Sequence, residues 1–295
     1  MEGYLLPLAA AFLWAVSAPV VNVGLRRLPQ EHRVACIGIG LMSSLAAGTI
    51  AMVAANGVAM LQPSSVDGAA VLSGVFTFIL GTGLCYLCGH AYGTRTELAA
   101  QFANVKPVIT VGVGVLLFDE SFGVQSLVAG SLIFTGLGVL IIGTIRGRFH
   151  WLPLVLGLCL ALAWSLGEIL AKYSLSSLNA QAFSYQALVW STILYLVLVG
   201  PIALRSVPSR SVSLNWLWPF LLHGMVSFWL AYSFFFASIA QLGLTRTIIV
   251  TVFWPGLAIL LGAIAAYFRG AQPASPRFII AAMLLLMAGS FIQIL

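Results

Sequence analysis

Trp164, Glu168 and Lys172 stand four residues apart, so on a helix they share one face. The stretch around them, 151–172, is otherwise largely apolar. An ionisable side chain at the centre of a lipid-embedded helix costs about 2.5–3.5 kcal/mol on insertion scales, so its default reading is functional. Glu168 could bind a cationic group or a proton, and Trp164 could offer its ring to a solute. The alternative is an internal Glu168–Lys172 pair that only neutralises itself. A second polar face is formed by Glu97, Gln101 and Asn104, spaced i, i+4, i+7. Lys106 lies nine residues beyond Glu97, on roughly the opposite side of that helix, and cannot pair with it there. Lys106 suits a substrate carboxylate or phosphate; otherwise it snorkels or pairs with another helix. Pro107 follows it and frees the carbonyl of Ala103, which makes a kink there either a hinge or a packing feature.

Further candidates are aromatic or imidazole groups. Tyr86 and His90 are spaced i, i+4 among Gly81, Gly83, Gly89 and Gly93. His90 could relay a proton near neutral pH, or be a hydrogen-bonded packing residue. His223, Trp229 and Tyr232 carry the same two readings. Trp14, Trp164, Trp229 and Trp254 fall inside apolar runs and can line a cavity, whereas Trp151, Trp216 and Trp218 lie near run ends and read as an interfacial belt. Arg246 reads as a membrane-edge residue. Cys85-x-x-Cys88 formally matches a redox or zinc spacing. No partner pair accompanies it, so Cys36, Cys85, Cys88 and Cys159 read as packing thiols.

What must position these groups follows from composition. The chain has 295 residues, 61% apolar and 7% charged, against about 25% charged in a soluble domain. Lipid is therefore the solvent for most of it, and the expected fold is all-α and polytopic. Ten apolar segments run over 4–24, 34–55, 69–92, 98–117, 124–144, 151–172, 181–203, 215–240, 246–267 and 276–295. Ten spans of about 21 residues leave only short loops, which excludes a soluble domain. The first run lacks a basic leader and is long enough to span, so it reads as a helix and not as a cleaved signal. The runs do not alternate, so strands are excluded. The net charge of +6 is dispersed over loops and faces lipid headgroups, not nucleic acid.

The chain reads as a duplication, 1–148 and 149–295. Phe12-Leu13-Trp14-Ala15-Val16-Ser17 echoes Leu162-Ala163-Trp164-Ser165-Leu166-Gly167, and Asn104-Val105-Lys106-Pro107 echoes Val252-Phe253-Trp254-Pro255. Five spans per half is an odd number, so the halves enter the membrane from opposite sides as an inverted repeat, with a site between them. Loops after odd-numbered spans hold Arg26, Arg27, Arg33, Arg95, Arg146, Arg148, Arg205, Arg210, Arg269 and Arg277, against Lys172 and Arg246 on the other side. Odd loops are thus expected in the cytoplasm and both termini outside.

This pattern resembles the ten-helix EamA-type members of the drug/metabolite transporter superfamily along nearly the whole chain. Its carriers are Leu13-Trp14 and Ala163-Trp164, Pro107 and Pro255, Phe118-Asp119-Glu120-Ser121, and the Gly-rich run Gly130 to Gly143. The second half departs from it: Tyr267-Phe268-Arg269-Gly270 replaces the acidic end of the first. The expected orientation departs too, since the family usually keeps both termini in the cytoplasm. The resemblance implies export of metabolites or amino acids, with nucleotide-sugar or drug-like cargo in relatives.

No nucleotide loop, nucleophile elbow or metal cluster is present in the sequence, so the expectation is a non-enzymatic secondary transporter without cofactor, in a bacterial inner membrane. It would act as a monomer or homodimer, by alternating access, on a small amino-acid-like, amphipathic or zwitterionic solute. Transport would be coupled to a proton, exchanged against another solute, or downhill. The expected substrate residues are Trp14, Tyr86, His90, Glu97, Lys106, Trp164, Glu168, Lys172, Trp229 and Trp254. The alternative is a flippase for a lipid-linked sugar, with Lys106 and Arg246 meeting phosphate.

Overall fold

The computed structural model describes residues 2–57, 66–91, 106–144, 151–208, 212–268 and 276–294. Among them every regular element is helical. The first two helices are α1 (Leu5–Arg26) and α2 (Arg33–Asn56). Helix α3 runs through Gly68–Gly74, a π-helical stretch Val75–Gly81, and Thr82–Ala91. Then come α4 (Lys106–Phe118), α5 (Val124–Thr144) and α6 (Trp151–Ser174). Helix α7 (Ala180–Leu198) is followed by a short helical turn, Gly200–Arg205. Helix α8 repeats the design of α3: Leu214–His223, a π-helical stretch Gly224–Ala231, and Tyr232–Leu242. Helix α9 has two pieces, Leu244–Thr251 and Trp254–Phe268, and α10 is Pro276–Ile294.

Seven of these, α1, α2, α3, α6, α7, α8 and α9, are long and apolar enough to cross a membrane. The described parts of α4, α5 and α10 are apolar but shorter. Local sequence sets the ends. Asp67 accepts from the backbone N–H of Ala69 and Ala70 at 2.7 and 3.0 Å, which starts α3. Asn179 accepts from Ala182 N–H at 2.8 Å at the start of α7. Span 9, read from sequence as one run, is broken at Val252–Phe253. Pro255 has no N–H to donate to the Thr251 carbonyl, and it is well placed near the start of a new helix.

The helices pack in a reciprocal pattern. Helix α1 lies against α8 and the second piece of α9, and α6 lies against α3 and α4. Helix α2 packs on α8 as α3 packs on α7. The α5 and α10 pair makes an extensive contact of its own. Lipid tails are as apolar as side chains, so association rests on close approach and interhelical hydrogen bonds. At Gly74 and Gly224, 150 positions apart, a side chain would run into the backbone carbonyls of Ala187 and Ser44 respectively. Thr49 and Thr192 hydroxyls meet at 2.7 Å, Ser44 donates to Phe220 O at 2.8 Å, and Ser73 donates to Gly167 O at 2.6 Å. Trp216 turns inward instead of joining a belt: it is 3% exposed and its ring lies 6.2 Å from that of Phe220. Trp218 remains exposed.

The segment linking α4 to α5 makes a tight junction. Glu120 accepts from the N–H groups of Leu244 and Thr245 at 2.7 and 2.6 Å, capping α9 from outside its own sequence. Lys172, near the end of α6, pairs with Glu120 at 2.8 Å. Gly243, between α8 and α9, has φ +86° and leaves the space the carboxylate fills; a Cβ there would lie 2.7 Å from Oε1. Burial alone would raise the Glu120 carboxyl. The Lys172 ammonium and the hydrogen bonds from Thr245 and Leu244 outweigh it and hold the group below its ordinary range.

Candidate functional site

A cavity of about 50 Å³ lies between α1, α3, α4, α6, α8 and α9. That is room for roughly three or four waters. Its charged wall comes from α4 and α6. On α4, Lys106 and Thr110 stand four residues apart and share the face turned to α6; Gly114, one turn further on, lies against Thr245 and Glu120. On α6, Trp164, Ser165 and Glu168 meet Lys106 and Thr110. Lys106 Nζ pairs with Glu168 Oε1 at 2.5 Å, and the side chains are 15% and 5% exposed. The Thr110 hydroxyl donates to Glu168 Oε2 at 3.1 Å, and Ser165 donates to Lys106 O at 3.4 Å. Lys106 Nζ also lies 5.8 Å from the Trp164 ring centre and 6.0 Å from that of Phe235. The ammonium is thus held by an ion pair and by ring faces, the arrangement that lets a cation sit away from water.

The remaining walls are aromatic with scattered hydroxyls. Trp14, Ser17, Ala18 and Val21 form one face of α1. Trp14 meets Tyr232 at 4.9 Å, Phe235 at 5.1 Å and Trp254 at 6.3 Å between ring centres. Trp254 meets Trp164 at 6.4 Å. Three indoles from α1, α6 and α9 therefore stand in a row. Thr82, Cys85 and Tyr86 arrive from α3, and His223, Ser227 and Tyr232 from α8. The last three are spaced four and then five residues. A π-helix closes its hydrogen bonds over five residues instead of four, and this wider turn swings Tyr232 towards the wall that Ser227 lines. The Ser44 proton goes to Phe220 O, so Tyr86 donates to the Ser44 oxygen at 3.2 Å. The indole N–H groups of Trp14 and Trp164 and Nδ1 of His223 are buried and have no hydrogen-bond partner among the described residues.

Of the residues singled out from sequence, Trp14, Tyr86, Lys106, Trp164, Glu168 and Trp254 come together here. Lys172 shares a helix face with Glu168, but it reaches away to Glu120, and Glu168 takes its cation from α4. Trp229 packs partly buried against the main apolar core, outside the cavity lining. His90 belongs to the last turn of α3, and its side chain lies outside the described set. Glu97, with Gln101, Ala103 and Asn104, lies outside the described residues. Sequence reasoning did not select Ser17, Thr82, Thr110, Ser165 or Ser227; hydroxyls are common packing groups in membrane helices, and only the assembled cavity distinguishes these. Among the described residues no cluster of His, Cys, Asp or Glu could hold a metal ion. A second crevice, of about 350 Å³ and almost wholly apolar, lies between α4, α5 and α9 beside Pro107 and Val252.

Residues 1–142 match the EamA-like transporter family. No curated protein sequence matches the chain. Among solved structures, one crystal structure of a protein covers 99% of this chain and 96% of its own, with a TM-score of 0.69 and 18% identity. At that identity the likeness concerns the fold alone.

Proposed function

We propose that this protein, residues 1–142 of which match the EamA-like transporter family, is a secondary transporter that carries a small zwitterionic, amino-acid-like solute by alternating access. The observation that carries this reading is the Lys106–Glu168 pair enclosed among three indoles. The site holds one positive and one negative group, so a solute of zero net charge can part them and satisfy both. Its carboxylate would meet Lys106 and the free indole N–H groups; its ammonium would meet Glu168. An anion such as a lipid phosphate would leave charge uncompensated in a medium where that is expensive. Arg246, the other cation that a flippase would use, is exposed and outside the cavity lining.

The cavity admits a few waters and no solute of amino-acid size, so binding requires the surrounding helices to part. Two inverted five-helix repeats, 1–148 and 149–295, would supply that motion. Three features support the repeat: π stretches beginning at Val75 and Gly224, 149 positions apart; the reciprocal helix packing; and contact glycines Gly74 and Gly224. In this reading all of α1 to α10 span the bacterial inner membrane, both termini face outward, and transport runs in the direction of export. Lys172, tied to Glu120, positions α6 and does not touch substrate. The test is counterflow of radiolabelled L-amino acids into proteoliposomes. Wild type should accumulate at least one of them, and Glu168→Gln and Lys106→Met should not. Unimpaired counterflow by Glu168→Gln would reject the site.

A further inference from the structure

A second polar layer lies one helical turn from the ion pair, and both helices of the pair lead to it. On α6, Lys172 stands four residues beyond Glu168 on the same face, about 6 Å along the axis. On α4, Gly114 stands four residues beyond Thr110, and a Cβ there would lie 2.7 Å from the Thr245 hydroxyl and 3.3 Å from Glu120 Oε2. At this level Glu120 joins Lys172, at 2.8 Å, to the N–H groups of Leu244 and Thr245, at 2.7 and 2.6 Å. Helices α4, α6 and α9 all contribute to the cavity wall, so three of the helices that line it are clasped together just past it.

The clasp is built to be made and broken. The chain leaves α4 through Asp119, at φ +49°, and the Glu120 N–H returns to Gly114 O at 3.2 Å, so the linker is folded back on α4 and carries the carboxylate to α9. The Lys172 and Glu120 side chains are 26% and 13% exposed, against 15% and 5% for Lys106 and Glu168. Partly wet partners can exchange each other for water at small cost, whereas parting a buried pair strands its charges. The clasp is also one-sided. Glu120 lies in the first half and its partners in the second, and the matching end of the second half, Tyr267-Phe268-Arg269-Gly270, holds no acidic residue. Glu120 can therefore favour one closed face only.

We propose that Glu120, Lys172 and the start of α9 form a latch that shuts the pocket towards the face where α4 and α6 end, and that the protein rests with this face shut. This rests on the alternating-access reading above; with both termini outside, the latched face is external and the resting protein takes its solute from the cytoplasm. The experiment measures rates of reaction with a membrane-impermeant maleimide in right-side-out and inverted vesicles, with the four native cysteines replaced by alanine. Ser176→Cys, in the exposed turn after α6, marks which preparation presents the latch face, and Ser227→Cys reports on the pocket. Ser227→Cys should react more slowly from the latch face than from the other. Adding Glu120→Gln should raise the latch-face rate, relative to the other face, about five-fold or more, because charge-assisted bonds made in one state only are lost. Gly243→Ala, which fills the carboxylate's place without changing any charge, should do the same. A purely structural role would change labelling from both faces alike. A ratio of rates unchanged by both substitutions overturns the proposal. A ratio that shifts as expected, in a protein that carries no amino acid in counterflow, would keep the latch and overturn the zwitterion reading. Labelling from one face only in every variant, or from neither, would overturn alternating access and the latch with it.

Discussion

Lys106 and Glu168 are 62 positions apart, and each was conspicuous by itself as a charge in an apolar stretch. Their pairing was not legible, because spacing arguments see one helix at a time and offered Glu168 the cation on its own face, Lys172. The outcome is set by where α4 lies against α6. Removing one member of a buried pair strands the other, which costs about 3–5 kcal/mol, whereas removing both leaves no buried charge. Lys106→Met and Glu168→Gln are each expected to lower the unfolding midpoint in detergent, and the double variant should recover part of the loss. All three should fail to transport. Additive destabilisation in the double variant would mean that the two groups do not depend on each other.

At the scale of elements, most helix limits follow from apolar runs, prolines and capping residues. Two features do not. The π stretches of α3 and α8 close their hydrogen bonds over five residues and so widen the turn beyond 3.6 residues, and a search at the α-helical period cannot align His223, Ser227 and Tyr232. The cap on α9 comes from Glu120 across a tertiary contact, which no local pattern can announce. That cap predicts a pH dependence. The Glu120 carboxyl is held low in the fold, so its contribution is complete above its unfolded value of about 4.3 and is lost as pH falls through the lower folded value. Glu120→Gln should be less stable than wild type at neutral pH, and the gap should close below about pH 4. A gap independent of pH would remove the carboxylate from the account. The glycine contacts give a second test. Gly224→Ala and Gly74→Ala must push a methyl into a neighbouring carbonyl, and overpacking of this kind costs about 1–3 kcal/mol. Midpoints unchanged by either substitution would show that these helices can separate freely.

For the whole molecule, composition was enough to establish a membrane protein, and short echoes around Trp14/Trp164 and Pro107/Pro255 pointed to a duplication. The packing adds a reciprocal arrangement that sequence hints could not carry alone, because so few residues repeat between halves. Orientation remains a prediction from ten basic residues on one side against two on the other. A phosphatase fused to the C-terminus should be active in cells and a fluorescent cytosolic reporter dark; the opposite pair would reverse the assignment. The carrier account requires that one shared pocket open to each side in turn. Ser227 lines that pocket and makes a direct reporter. With the four native cysteines replaced by alanine, Ser227→Cys should react with a membrane-impermeant maleimide in both right-side-out and inverted vesicles. Reaction from one side only, or from neither, would contradict alternating access through this site.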